Sequence, residues 1–167
     1  MKDHVTGRQF VTALCFGCGQ DNPIGLKGRF YNLESGKIAA LFYLGDEFQG
    51  YPQRLHGGIT ASILDESLGR AIVIPEPDCW AVTAELTIRY KKPVPLHTPL
   101  KVIAEVTDNN RRLFHSKGTL ILPDGEIAAT ATGTYMKQSL SQIADTEGLD
   151  MDNIRIWPAR DEDFIEY

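Results

Sequence analysis

The sequence predicts an α+β domain in which a curved antiparallel sheet wraps around one long helix. One long helical pattern occurs within residues 1–137, from His56 to Ile72, and strand patterns lie on both sides of it. Apolar residues in this stretch recur at helical spacing, which gathers Ala61, Leu64 and Leu68 in one sector. One helix cannot cover both faces of a long sheet, so the order β-β-α-β-β-β-β favours a sheet that curves around the helix.

Two strand patterns precede the helix. Residues 27–33 and 37–44 read as a hairpin closed by a Glu-Ser-Gly turn. A loop rich in glycine, proline and polar residues then covers 45–55 and leads into the helix. Loops of this kind often line ligand sites on a rigid scaffold.

Four strand patterns follow the helix, after a Pro-Glu-Pro-Asp segment that ends helical structure. The first of them alternates, and this predicts one face for the core and the opposite face, with Thr83, for solvent or a partner. The predicted core face consists of Val82, Ala84, Leu86, Ile88 and Tyr90. The other three form an antiparallel meander over 100–107, 113–122 and 126–137.

A length of 167 residues fits one domain. Residues 1–27 are predicted to form an N-terminal segment with a Cys-x-x-Cys turn, and residues 28–137 the main domain. Residues 138–167 change character and read as a C-terminal extension, with a short helix predicted near 139–146. We assign the extension no chemistry.

The charge pattern favours a small-molecule partner. The net charge is −5 and no run of five like charges occurs, which argues against a broad nucleic-acid or membrane-surface footprint. The first thirty residues contain no apolar segment typical of a signal peptide. No stretch approaches the roughly 18 apolar residues of a membrane span. We therefore expect a cytoplasmic protein.

The three cysteines do not predict a metal site. Cys15 and Cys18 form a Cys-x-x-Cys that could hold zinc or act in redox chemistry. A structural zinc usually needs four ligands, and only Cys79 and the distant His4 could add to the pair. The favoured interpretation is a glycine-rich turn with small buried thiols. No cofactor is predicted.

Asp65 is the candidate catalytic carboxylate, because it lies at the edge of the apolar sector of the helix. Such a group can act as a general base or a nucleophile, although it could also reach solvent or cap a neighbouring strand. Glu66 points the other way, four residues before Arg70, where an exposed ion pair is expected.

The start of the helix offers backbone donors. Gly57 and Gly58 leave N–H groups open to close approach by a ligand, and a helix N-terminus stabilises negative charge on a carbonyl oxygen. The pair could equally form a tight entry turn. His56 could be a catalytic base, or it could fix the loop through hydrogen bonds of its ring.

These residues resemble a known family. The motif His56-Gly57-Gly58 followed by Asp65, preceded by Phe48-Gln49-Gly50-Tyr51-Pro52, is similar to hotdog-fold acyl-CoA thioesterases of the phenylacetate-pathway type. Supporting segments are Cys15-Phe16-Gly17-Cys18-Gly19, residues 22–26 and residues 82–86. The resemblance covers residues 14–137.

The resemblance implies a hotdog fold and hydrolysis of an acyl-CoA thioester. It assigns Asp65 as base or nucleophile, and Gly57, with Gly58 as a second candidate, as donor to the carbonyl oxygen. Thr83 would help to place the attacking water. Some relatives carry Asn where this chain has Gly50, so Gln49 could take over that substrate contact.

The resemblance also implies a homodimer or a dimer of dimers with active sites at the subunit junction. Because coenzyme A carries phosphates while the chain is acidic, we expect a few local cations to bind them, namely Arg54, Arg89, Lys91 and Lys92. The alternatives are a non-catalytic acyl-CoA binding protein and a hotdog dehydratase or hydratase.

Overall fold

The computed structural model describes residues 1–139, 142 and 155–167. These residues form one antiparallel sheet that packs on the helix α1, Gly57–Arg70, which continues into a 3-10 turn over Ala71–Val73. A second 3-10 turn covers Asp46–Phe48. The strands are β1 Lys2–Arg8, β2 Arg29–Leu33, β3 Ile38–Tyr43, β4 Trp80–Tyr90, β5 Pro99–Asn109, β6 Leu113–Ile121, β7 Ile127–Gln138 and β8 Phe164–Glu166.

The predicted fold is confirmed. The strand order is β4-β7-β6-β5-β3-β2-β1-β8, and α1 contacts every strand from β3 to β7. A sheet that touches one helix through five strands must curve around it. No helix in the described part of the chain is long and apolar enough to cross a membrane.

The helix α1 forms where the pattern predicts it. Leu64 and Leu68 are fully buried against the sheet. Ile63 lies outside that apolar sector by helical spacing, and it is also fully buried within the single chain. It therefore provides no evidence for a partner subunit. At Gly69 the helix packs on the Tyr135 ring, which lies 3.3 Å from where a Cβ would be.

The alternation predicted for β4 is wrong at its N-terminal end and at its last residue, Tyr90, which is 53% exposed. The register against β7 shifts between Thr83 and Glu85, which marks a β-bulge. The extra residue reverses the alternation, so Thr83 faces α1, as Leu86 does beyond the bulge, whereas Val82 is 41% exposed. Pattern alone cannot reveal a bulge when both faces carry small or β-branched residues.

Two strands were not predicted. The polar β1 pairs with β2, and β8 pairs with β1 at the far edge of the sheet. Between them they bury only a few apolar side chains, chiefly Val5 and Ile165, which is too little for a periodic signal. The helix predicted near 139–146 lies outside the described residues, apart from positions 139 and 142.

Candidate active site

Two hydroxyl groups hold the Asp65 carboxylate. Thr83 Oγ1 on β4 donates to Asp65 Oδ1 at 2.9 Å. Tyr135 OH on β7 donates to the same oxygen at 3.2 Å and to the Asp65 main-chain oxygen at 3.1 Å. No described residue bonds to Asp65 Oδ2, so that oxygen is available to a water molecule or a substrate carbon.

Tyr135 was not among the predicted site residues. Its ring stacks on Phe114, with centroids 5.0 Å apart, and this fixes the direction of the hydroxyl. Burial, followed by the charge of Asp65, raises the pKa of Tyr135 far above its usual range, so the group stays a donor. The register pairs Tyr135 with Thr83 across β7 and β4. Only that register reveals the role, because nothing in the sequence around Tyr135 signals a site.

A cavity of about 250 Å³ extends from this carboxylate along the C-terminal half of α1. Asp65, Thr83 and Tyr135 lie together in its wall. Much of the remaining wall is apolar and comes from Phe10, Ile72, Val73, Trp80 and Ala81. A pocket with an apolar wall and a few converging polar groups suits a ligand with an apolar body and one reactive polar centre.

His56 and Tyr90 hold the first turn of α1 through hydrogen bonds. His56 is the N-cap, and its Nδ1 accepts a hydrogen bond of 2.9 Å from the Gly58 N–H. Tyr90 OH donates to the Gly57 carbonyl at 2.8 Å. The Gly58 N–H is thus already bonded, whereas no described residue accepts a hydrogen bond from the Gly57 N–H. Of the two predicted backbone donors, Gly57 is the one left open.

Asp65 and this open donor are far apart within one chain. They are eight residues apart in α1, which at about 1.5 Å per residue separates them by about 12 Å along the axis. An aspartate side chain spans only a small part of that distance. One Asp65 and one Gly57 from the same chain therefore cannot both contact a single carbonyl group.

The loop that leads into α1 is held by contacts between its own residues. Gln49 Oε1 accepts a hydrogen bond of 2.8 Å from the Gln53 N–H, so this side chain stabilises its own loop. A Cβ on Gly50 would lie 3.1 Å from His56 Cα, so the loop packs closely on the residue that caps α1. Arg54 is exposed, and it lies with His56 and Gly57 in a second cavity of about 460 Å³.

Three of the four predicted cations are unpaired. Lys92 forms an ion pair with Glu126. Arg54, Arg89 and Lys91 are exposed and form no ion pair with any residue that the structure describes. The chain segment after β4 returns to the loop, because the Leu55 N–H bonds to the Val94 carbonyl and Arg54 pairs with Pro95. Arg54 and the Lys91 segment therefore lie on the same side of the molecule as the open Gly57 donor.

The Glu66–Arg70 pair is not the exposed pair that was expected. Arg70 Nε lies 2.7 Å from Glu66 Oε1, with side chains only 12% and 26% exposed. Arg70 Nη2 lies 2.9 Å from Cys18 Sγ, and its Nη1 donates to the Phe10 carbonyl. The N-terminal segment covers this face of α1, which helical spacing alone could not predict.

Comparisons with known proteins agree with this architecture. Residues 53–129 match the model of the thioesterase superfamily. Acyl-coenzyme A thioesterase THEM4 of Mus musculus is 32% identical over 109 residues, which are 65% of this chain and 46% of that protein. The chain thus spans about half the length of this curated relative.

Two solved structures share the fold. The thioesterase superfamily protein RHA08564 superposes with a TM-score of 0.69 at 27% identity, over 75% of this chain and 61% of that one. A hypothetical thioesterase from Streptococcus pneumoniae TIGR4, solved with coenzyme A, superposes with a TM-score of 0.58 at 19% identity. The superposition covers 62% of this chain and 82% of that one. With the family match over residues 53–129 and the sheet wrapped around α1, these two structures confirm the resemblance of this chain to hotdog-fold proteins of the thioesterase superfamily, which the His-Gly-Gly and Asp65 motif predicts.

Proposed function

We propose that the protein hydrolyses an acyl-CoA thioester to the free acid and coenzyme A. The observation that carries this proposal is the Asp65 carboxylate, held by Thr83 and Tyr135 at the end of a cavity with a largely apolar wall. The acyl chain would lie along that wall with the thioester carbonyl beside Asp65. The acyl-coenzyme A thioesterase THEM4 relatives support the same activity.

Asp65 would act in one of two ways. As a general base it removes a proton from a water molecule, and the resulting hydroxide adds to the carbonyl carbon. As a nucleophile it adds directly and forms a mixed anhydride, which water then hydrolyses. In both routes the C–S bond breaks and coenzyme A leaves as a thiolate that takes up a proton. The free Oδ2 and the Thr83 hydroxyl, which would help to hold the water, are compatible with either route.

The carbonyl oxygen needs a donor as negative charge develops on it. A backbone N–H at a helix N-terminus is such a donor, and Gly57 presents one that is open. Because Asp65 of the same chain is about 12 Å away along the axis, we infer that the donor comes from a second copy of this chain. Each site would then combine Asp65 of one subunit with Gly57 of its partner.

The edge strand β4 is the natural surface for that second copy. β4 lies at one edge of the sheet, and its outer edge meets no other described strand. A long unpaired edge with exposed apolar residues, here Val82 and Tyr90, favours pairing with another strand. Antiparallel pairing of two β4 strands would give one continuous sheet and a two-fold axis beside both helices. This supports a homodimer, or a dimer of dimers, as the active unit.

The nucleotide end of the substrate would bind near Arg54 and Lys91. Both are exposed and unpaired within the described structure, and both lie on the side of the Gly57 donor. Arg can bind phosphate through two parallel hydrogen bonds, and Lys through its point charge. The S. pneumoniae protein of the same fold was solved with coenzyme A.

The test is a panel of acyl-CoA thioesters, from aryl-acetyl and benzoyl to short and medium aliphatic chains. Release of free thiol should be ranked by kcat/KM and measured beside hydration of an enoyl-CoA. Turnover of at least one thioester supports the proposal. Tight binding without turnover would favour a non-catalytic binder, and hydration without hydrolysis would favour a hydratase.

A further inference from the structure

The turn that carries Cys15 and Cys18 has no role in the proposed hydrolysis, and it packs directly against α1. Cys15 Sγ, Cys18 Sγ and a Glu66 carboxylate oxygen all lie within 4.8 Å of one another. A Cβ on Gly17 would lie 2.7 Å from the Glu66 side chain, and one on Gly19 would lie 2.5 Å from a backbone oxygen. The backbone contact at Gly19 leaves no room for a side chain, and the turn packs closely on Glu66 at Gly17, so its two sulfurs lie directly beside the helix.

A metal ion is a poor occupant of this cluster, because a cation already lies there. The Arg70 guanidinium contacts Glu66 at 2.7 Å and Cys18 Sγ at 2.9 Å, and it lies over the Phe30 ring at 4.4 Å. Arginine keeps its charge under all ordinary conditions. A zinc ion on these three ligands would therefore meet a buried positive charge at contact distance.

The sulfurs of Cys15 and Cys18 differ in solvent exposure and in pKa. Cys15 is half-buried and lines the same cavity as Asp65, whereas Cys18 is fully buried. The Cys18 thiol hydrogen bond lowers the pKa of Cys15 to about 6, helped by the Cys18 and Gly17 N–H groups and opposed by burial and by Glu66. The same hydrogen bond, together with burial, raises the pKa of Cys18 far above its usual range. Cys15 is thus both the sulfur that faces the cavity and the one whose pKa is lowered.

We propose that Cys15 and Cys18 are an oxidation site, at which a hydroperoxide converts the two thiols into a disulfide in the wall of the Asp65 cavity. The Cys15 thiolate attacks the terminal oxygen of the hydroperoxide, giving a sulfenic acid and an alkoxide that takes a proton from water. The Cys18 sulfur then attacks the Cys15 sulfur, and hydroxide leaves with the Cys18 proton as water. The two cysteines lose two electrons, and the hydroperoxide becomes an alcohol, or water when hydrogen peroxide is used.

Thiol mapping after hydrogen peroxide tests this site without any activity assay. The reduced protein is treated with peroxide, alkylated with N-ethylmaleimide and digested for mass spectrometry. We expect a Cys15–Cys18 disulfide, with Cys79 as the one alkylated cysteine, and dithiothreitol should restore three alkylatable thiols. Cys79→Ser is the matched control, in which the disulfide still forms and no alkylated thiol remains.

Single variants separate the two sulfurs. Cys18→Ser should leave a sulfenic acid on Cys15 that dimedone traps, whereas Cys15→Ser should give no adduct at the buried Cys18. The alkylation rate of Cys15 in the wild-type protein should rise with a midpoint near pH 6. Cys79, whose pKa burial raises, should need a more alkaline solution.

Three results would overturn the proposal, and all can be obtained on the wild-type chain. These are three alkylatable thiols after peroxide treatment, a disulfide that joins Cys15 or Cys18 to another chain, and a stoichiometric zinc ion retained by the reduced protein. None of them depends on whether the protein hydrolyses acyl-CoA.

Discussion

Thr83 on the edge strand donates a 2.9 Å hydrogen bond to Asp65 on the central helix, although the alternation of its own strand assigns it to the opposite face. The β-bulge that follows Thr83 makes this contact possible. Tyr135, the partner of Thr83 across β7, donates to the same carboxylate oxygen. Two strands thus hold one oxygen of Asp65, and no described residue bonds to the other.

Asp65→Asn should abolish hydrolysis, with kcat falling by at least about 100-fold, because the amide has the same shape but cannot accept a proton or form an anhydride. Binding of the acyl-CoA should change little, and calorimetric titration measures it. Asp108→Asn, on an exposed end of β5, is the matched control and should keep wild-type turnover. Near-normal turnover in Asp65→Asn would end the proposed mechanism.

Thr83→Val and Tyr135→Phe should each lower kcat by about tenfold, which corresponds to about 1.4 kcal/mol. Neither substitution removes packing, since Phe can keep the stack on Phe114. The two donors share one oxygen, and after the loss of one the carboxylate is free to rotate. The double variant should therefore lose less than the product of the single effects, by at least about 0.5 kcal/mol in a double-mutant cycle. Fully additive losses would show that the two hydroxyls act independently.

Two substitutions of His56 distinguish a capping role of this residue from a catalytic one. His56→Ala removes the acceptor for the Gly58 N–H and should destabilise the fold by about 1 kcal/mol, measured by urea unfolding. Asn is a good N-cap, so His56→Asn should keep both stability and turnover. A stable His56→Asn variant with turnover as low as that of Asp65→Asn would instead make His56 a catalytic base.

Most of the fold could be predicted from the sequence, and the reasons are physical. The helix was predicted over 56–72, and α1 with its 3-10 turn covers Gly57–Val73, because strong apolar periodicity, a cap and a following proline act together. Asp65 could be identified for a similar reason, since a carboxylate at the margin of an apolar face is unusual.

The rest of the site could not be predicted, because it depends on contacts between segments that are distant in sequence. Tyr135 reaches Asp65 only through the register of β7 with β4, and no local pattern encodes a register. The burial of the Glu66–Arg70 pair depends on the N-terminal segment, which folds over α1 from more than 40 positions away. Helical spacing describes one element at a time, so it cannot reveal what another segment covers.

The Arg54→Gln and Lys91→Gln double variant should raise KM for acyl-CoA several-fold with little change in kcat. Phosphate contacts remote from the reacting carbon stabilise the ground state and the transition state equally. The salt dependence of KM should also weaken, because exposed charges are screened. An acyl thioester without the nucleotide is the control substrate, and its KM should not change. An unchanged KM for acyl-CoA would contradict the assignment of these cations.

Gly57→Pro tests the backbone donor with minimal disturbance of the helix. Gly57 is the first helical residue, where proline is favourable, and His56 has the extended conformation that a following proline requires, with φ −62 and ψ 136. The substitution removes the open N–H and should lower kcat by about 100-fold to 1,000-fold. Gly57→Ala keeps the N–H and meets only the Tyr90 ring at 3.9 Å, so it should retain turnover. Loss of activity in both variants would point to a steric cause.

The central claim, that each site joins Asp65 of one subunit to Gly57 of its partner, is tested most directly by complementation. Asp65→Asn and Gly57→Pro chains with different affinity tags are co-expressed, and the heterodimer is purified through both tags. A shared site predicts one fully intact site per heterodimer and about half of the wild-type specific activity, although each homodimer is inactive. Activity no higher than that of the two homodimers, in a heterodimer of verified composition, would contradict the shared site.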